Sequence, residues 1–146
     1  MGFHLKGSIL SRIREGLALG RGGETRFTIP PLAYNRAVES SQVYAQMRDH
    51  CMSLHEQVVE EYPWQDVAWK IGGKAFVFGS PGGNRFTIKA TKDQQQALVQ
   101  LPGVEVAAYV GRFGWITIEV DTGEQLDLAK NLAEEAFRQV RPKRLL

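Results

Sequence analysis

Between Ser41 and Val58 the apolar positions Val43, Met47, Cys51, Leu54 and Val58 recur at three- and four-residue steps, which lines them up on one face of an amphipathic helix. Tyr62-Pro63 bars any continuation, because the residue before a proline is pushed out of the helical region. The period then drops to two. Val67, Trp69 and Ile71 alternate with Ala68 and Lys70, Phe76 and Phe78 with Ala75 and Val77, and Phe86, Ile88 and Ala90 with Arg85, Thr87 and Lys89. Alternation of this kind predicts three half-buried strands. Gly72-Gly73 reads as a tight turn between the first two, and Pro81 to Asn84 as the hairpin loop before the third.

Helix-start chemistry appears twice more. Thr91 followed by Gln94 forms a capping box, with Ala97, Leu98 and Leu101 facing inward and Pro102-Gly103 ending the helix. A last strand is predicted from Phe113 to Val120, with Ile116, Ile118 and Val120 inward and Trp115, Thr117 and Glu119 outward. Thr122 and Gln125 form the second box, opening a helix whose stripe is Leu126, Ala129, Leu132, Ala133, Ala136, Phe137 and Val140, with Pro142 as its limit. Each helix has one wet face and each strand one dry face. The economical packing is an α+β, two-layer fold, an antiparallel sheet with helices packed on one face. Phe76, Phe86, Ile88, Ile116, Ile118, Leu132 and Phe137 form the expected shared core.

Residues 1–40 follow a different pattern. Ile9, Leu10, Ile13 and Leu17 share a helical face, Gly20 and Gly22-Gly23 would stop that helix, and Pro30-Pro31 bars another. The expected division is an N-terminal extension or arm over 1–40, partly disordered or docked on the rest, and a single domain over 41–146.

Composition adds limits. A chain of 146 residues buries enough surface to fold as one domain without a staple. The single cysteine, Cys51, rules out an intramolecular disulfide and a cysteine-rich zinc site, which fits a cytoplasmic location. No apolar run approaches the roughly 20 residues of a membrane span, and Arg12 and Arg14 interrupt the most apolar N-terminal stretch, so no signal peptide and no membrane partner are expected. The net charge is only +2, but residues 1–40 hold six basic and three acidic residues. From Lys70 to Ile118 six basic residues face only Asp93 and Glu105. The predicted strands are basic and the flanking helices acidic.

Catalytic constellations do not assemble from these residues. His50, Cys51 and His55 are close in sequence, but a metal needs three or four convergent ligands, and a small buried thiol beside surface histidines accounts for them. No G-x-S-x-G turn occurs, and Gly72-Gly73-Lys74 lacks the remainder of a phosphate loop. Glu60-Glu61 and Glu134-Glu135 are neighbours that diverge on helices, which makes them solvated surface. No cofactor and no metal are expected. One surface stands out: Lys70, Arg85, Thr87, Lys89 and Trp115 point away from the helices. A tryptophan flanked by cations combines a stacking platform with phosphate-pairing charge. Alternatively, Trp115 lies under the N-terminal arm or inside a small second core.

Four motifs occur in a distinctive order: Y-P-W at Tyr62–Trp64, W-K-I-G-G-K-A-F-V-F at Trp69–Phe78, Y-V-G-R-F-G-W at Tyr109–Trp115 and R-P-K-R-L at Arg141–Leu145. Together they resemble the MmcQ/YjbR-like proteins over residues 43 to 145. The resemblance implies a small α+β domain of double-wing, frataxin-like architecture, in a family labelled DNA-binding by analogy of fold. Lys74 holds the lysine of the family's G-G-K-x-F segment, Lys89 that of its strand ending x-I-K, and Arg112 and Trp115 the basic residue and tryptophan of its glycine turn. Arg141 replaces the family's alanine, and His55 stands where its first helix meets a proline, so this helix is expected to run a turn longer. None of these matches implies catalysis. The combined expectation is a non-enzymatic binding domain contacting nucleic acid, DNA in particular, through Lys70, Lys74, Arg85, Lys89, Arg112 and Trp115. The alternative is a protein-interaction or small-ligand domain whose target covers Trp115.

Overall fold

In the computed structural model, residues 36–145 are described. Expectations for the first 35 residues, including the arm's helix, lie outside them. The elements run α1 (Ser40–Ser53), β1 (Val59–Glu61), β2 (Val67–Ile71), β3 (Lys74–Gly79), β4 (Arg85–Ile88), α2 (Lys92–Leu98), β5 (Val104–Val106), a 3-10 turn (Gly111–Phe113), β6 (Ile116–Glu119), α3 (Gly123–Val140) and a closing 3-10 turn (Lys143–Leu145). The six strands form one sheet in the order β1-β2-β3-β4-β6-β5, and every adjacent pair is antiparallel. The expected α+β fold is therefore the fold of the described residues.

The core is where the hydrophobic stripes put it. Phe76, Phe86, Ile88, Ile116 and Ile118 are fully buried, with Leu132 and Phe137 nearly so. Burial of each such side chain contributes roughly 1.5–3 kcal/mol. Both capping boxes form, Thr91 with Gln94 on α2 and Thr122 with Gln125 on α3. The seven residues of the predicted α3 stripe are all buried. Just before α1, Ala37 bridges to Thr122 and the Val38 amide donates to the Asp121 carbonyl, which ties that segment to the start of α3.

Four expectations change. Helix α1 stops at Ser53, with the Leu54 amide on the Cys51 carbonyl. The Gln57 amide then donates to His55 Nδ1 at 3.0 Å, so the histidine makes a turn instead of extending the helix. Two short edge strands, β1 and β5, join the sheet, and Glu60-Glu61 sits on β1, not on a helix. Glu135 is 2% exposed, with its carboxylate 3.7 Å from Arg138, so it is no solvated surface residue. Strand β3 also carries a β-bulge. Trp69 pairs with Val77 and Lys70 with Ala75, leaving Phe76 as the extra residue. The bulge sends both Phe76 and Val77 to the helix side and Phe78 to the open face, reversing the alternation expected for the last two.

Candidate functional site

On the open face, pairing lines up a row running from Glu61 through Ala68, Phe78, Thr87 and Thr117 to Glu105. The middle of that row is uncharged, and the Thr87 and Thr117 hydroxyls hydrogen-bond to each other at 2.9 Å. Two of the expected phosphate-binding cations are committed to carboxylates. Lys70 Nζ lies 2.9 Å from Glu61, and Arg85 bridges Glu105 and Glu119 at 3.1 Å each. Trp115 is only 9% exposed. Its ring packs 5.6 Å from that of Phe78, and Lys89 Nζ lies 5.7 Å from its centroid. The bulge thus supplies Trp115 with a partner on the open face and makes a small second core there, which leaves little ring surface for a base.

The remaining cations gather at one end of the sheet. Antiparallel pairing puts the β2–β3 turn, the β4–α2 link and the β5–β6 loop at the same end. Lys74 opens β3 beside the first of these, Lys89 is on the second with Lys92 at the start of α2, and Arg112 is on the third. The C-terminal tail reaches the same place. Gly72, at φ +60°, sits so close to Pro142 that a Cβ would come within 2.5 Å of the proline ring. A side chain there would displace the tail, and with it Lys143 and Arg144. The backbone reason for the glycine is therefore both turn geometry and close approach. Lys74, Lys92, Arg112, Lys143 and Arg144 are all exposed. Arg85 stands at the opposite end, so Lys74, Lys89 and Arg112 share one end of the sheet and Arg85 does not.

The β5–β6 loop bears the most exposed aromatic side chain at this end. Tyr109 is 96% exposed and Phe113 57%, beside Val106 at 54%. The Arg112 guanidinium lies 4.7 Å from the centroid of the Phe113 ring. Beneath the loop, buried Gln95 of α2 donates from Nε2 to the Gly111 carbonyl at 2.7 Å and to the Trp115 carbonyl at 2.8 Å. Neither Tyr109 nor Gln95 was singled out by pattern. Tyr109 sits in a segment without alternation, and the partners of Gln95 are 16 and 20 residues away.

The groups with perturbed protonation are elsewhere. Glu60 accepts hydrogen bonds from Arg48 Nε at 2.8 Å, from Trp69 Nε1 at 3.0 Å and from the Tyr62 hydroxyl. Burial opposes its ionisation, but those donors outweigh it and hold the carboxyl below the ordinary range. Burial pushes the Cys51 thiol far up, with the Glu60 charge adding to it, so the side chain is an inert core filler. Burial lowers the His50 pKa, and its Nε2 bonds the Lys130 carbonyl at 2.9 Å. Among the described residues, no three His, Cys, Asp or Glu side chains come together as a metal set.

The sheet order, the Gly72 turn and the braced loop before Trp115 fall inside a stretch that matches a known family model, YjbR, over residues 52–139. This chain belongs to the YjbR family. Neither a curated protein nor a solved structure matches it. The YjbR match spans α1's end to the last turn of α3, and therefore covers Lys74, Lys89, Lys92, Arg112 and both exposed rings, with Lys143 and Arg144 just beyond it. Among the described residues no helix is long and apolar enough to cross a membrane.

Proposed function

We propose that this YjbR domain is a non-enzymatic binding module for nucleic-acid phosphate, engaged by the basic end of the sheet and not by the open face as a whole. The observation that carries the reading is the arrival of Lys74, Lys89, Lys92, Arg112 and the Lys143-Arg144 tail at one end from separate segments. Cations gathered this way pair with phosphates spaced along a backbone, and they do so without reading bases. The groups that catalysis would recruit are otherwise engaged: Glu60 in structural hydrogen bonds, Cys51 in the core and His50 on a backbone carbonyl. A free buried thiol and a near-neutral domain suit a cytoplasmic protein that binds weakly and reversibly.

A salt titration on duplex DNA tests this. About four phosphate contacts give a slope of log K on log salt of about −3 to −4. Removing charge at Lys74, Lys89 or Arg112 flattens the slope by about one unit each. Arg85→Ala leaves it unchanged, since that guanidinium already serves two carboxylates. Absence of binding at low salt, or a slope indifferent to all three replacements, overturns the reading. It would favour a protein partner instead, for which the exposed Val106, Tyr109 and Phe113 are the supporting observation.

A further inference from the structure

Tyr109 combines two costs that a folded chain ordinarily avoids. Its backbone sits at φ +63°, a region that aromatic residues seldom occupy, and the residue is 96% exposed. The conformation is held in place. The Val110 amide donates to the Ala108 carbonyl at 2.6 Å, closing a three-residue turn with Tyr109 at its apex. Next to it, Phe113 and Gly114 donate to the Val110 and Gly111 carbonyls, and Gln95 fixes the same segment from below. Gly114, at φ +103°, lets the loop press against the β4–α2 link, because a Cβ there would lie 2.5 Å from the Ala90 carbonyl oxygen. A braced loop that keeps an aromatic ring in water is pre-organised for a flat apolar ligand. The cations around it on the β4–α2 link and at Arg112 select a ligand that is anionic as well.

We propose that Tyr109 and Phe113 are base-stacking platforms, and that the domain prefers unpaired nucleic-acid strands to duplex. This rests on the phosphate-binding reading and deepens it. Every base presents a π face when unpaired, whereas a duplex hides those faces in its stack, so stacking rings discriminate between the two forms while phosphate contacts do not. The role expected of Trp115 from the sequence passes to two residues of the loop that leads into it.

The test is fluorescence anisotropy of the full chain with a labelled oligothymidylate of about 16 nucleotides and with a blunt duplex of the same length. Tyr109→Asn removes the ring while keeping a residue that tolerates positive φ, so the loop survives, and Phe113→Ala removes the second ring. Together they weaken single-strand binding by on the order of tenfold or more and change duplex binding by less than about twofold. Tyr109→Trp restores or strengthens the single-strand signal. If wild type binds both forms and the double variant keeps its single-strand affinity, stacking is overturned while phosphate binding stands, and the rings belong to a protein contact. Equal loss on both forms also overturns it. If neither oligonucleotide binds at low salt, the phosphate reading fails first and this inference with it.

Discussion

Glu60 joins three elements through one carboxyl group, taking donors from Arg48 on α1, Trp69 on β2 and Tyr62 beyond its own strand. A hydrogen bond to an ionised group contributes about 1.5–3 kcal/mol net of its exchange with water, and this side chain is only 10% exposed. Because its pKa is lowered in the fold, its stabilisation is complete above the ordinary carboxylate range. It is lost as pH falls through the lower folded value, since the unfolded chain takes up the proton first. Glu60→Gln is therefore expected to reduce unfolding free energy by about 1.5–3 kcal/mol at neutral pH. The gap to wild type should narrow as pH is lowered from about 5 to about 3. Urea unfolding at a series of pH values measures both. A gap that stays constant through that range would show that the ionised carboxyl is not what holds β1.

Helix α2 works as a brace more than as a core helix. Leu98 fills the core, and Gln95, one turn earlier, carries two hydrogen bonds to the loop before β6. Gln95→Leu is expected to cost about 1–2 kcal/mol, at the lower end because both carbonyls keep a second donor, Gly114 and Ala107 respectively. Hydrogen exchange at the Phe113 and Gly114 amides should rise in that variant while the α3 amides stay protected. Much of the element pattern was legible in the sequence because it is local. The two capping boxes need only residues three apart, and the α3 stripe is periodic over its whole length. Strands β1 and β5 are three residues long, too short to show a period, and their pairing is decided by neighbours elsewhere in the chain. The bulge at Phe76 is likewise non-local. One extra residue exchanges the destinations of Val77 and Phe78, and no feature of F-V-F announces it.

At the scale of the molecule, cations predominate at one end of the sheet, where exposed Asp93 beside Lys92 opposes them. Lys74, Lys89, Lys92, Arg112, Lys143 and Arg144 lie at the end that receives the tail, while Glu119, Asp121, Glu124 and Asp66 lie at the other, around Arg85. Alternation in the sequence assigned Arg85, Lys89 and Trp115 to the open face, but a face has two ends. Only strand order and register tell which residues meet, so Arg85 was grouped with cations from which the sheet separates it. The motif that ends at Trp115 was legible in the sequence, whereas the exposure of Tyr109 and the cover over Trp115 depend on the bulge and on Gln95. The same architecture distributes the three tryptophans usefully for spectroscopy. Trp69 is fully enclosed, Trp115 nearly so, and Trp64, at φ +55° in the β1–β2 loop of the opposite end, is 95% exposed. The native protein should accordingly emit as two populations, a blue-shifted pair and one red-shifted indole that acrylamide quenches freely and Trp64→Phe abolishes. With Lys89 over its ring, Trp115 is placed to register a polyanion arriving at the basic end. Such a ligand should perturb the blue component and leave the quenchable one as an internal reference, so occupancy can be read from the unlabelled protein.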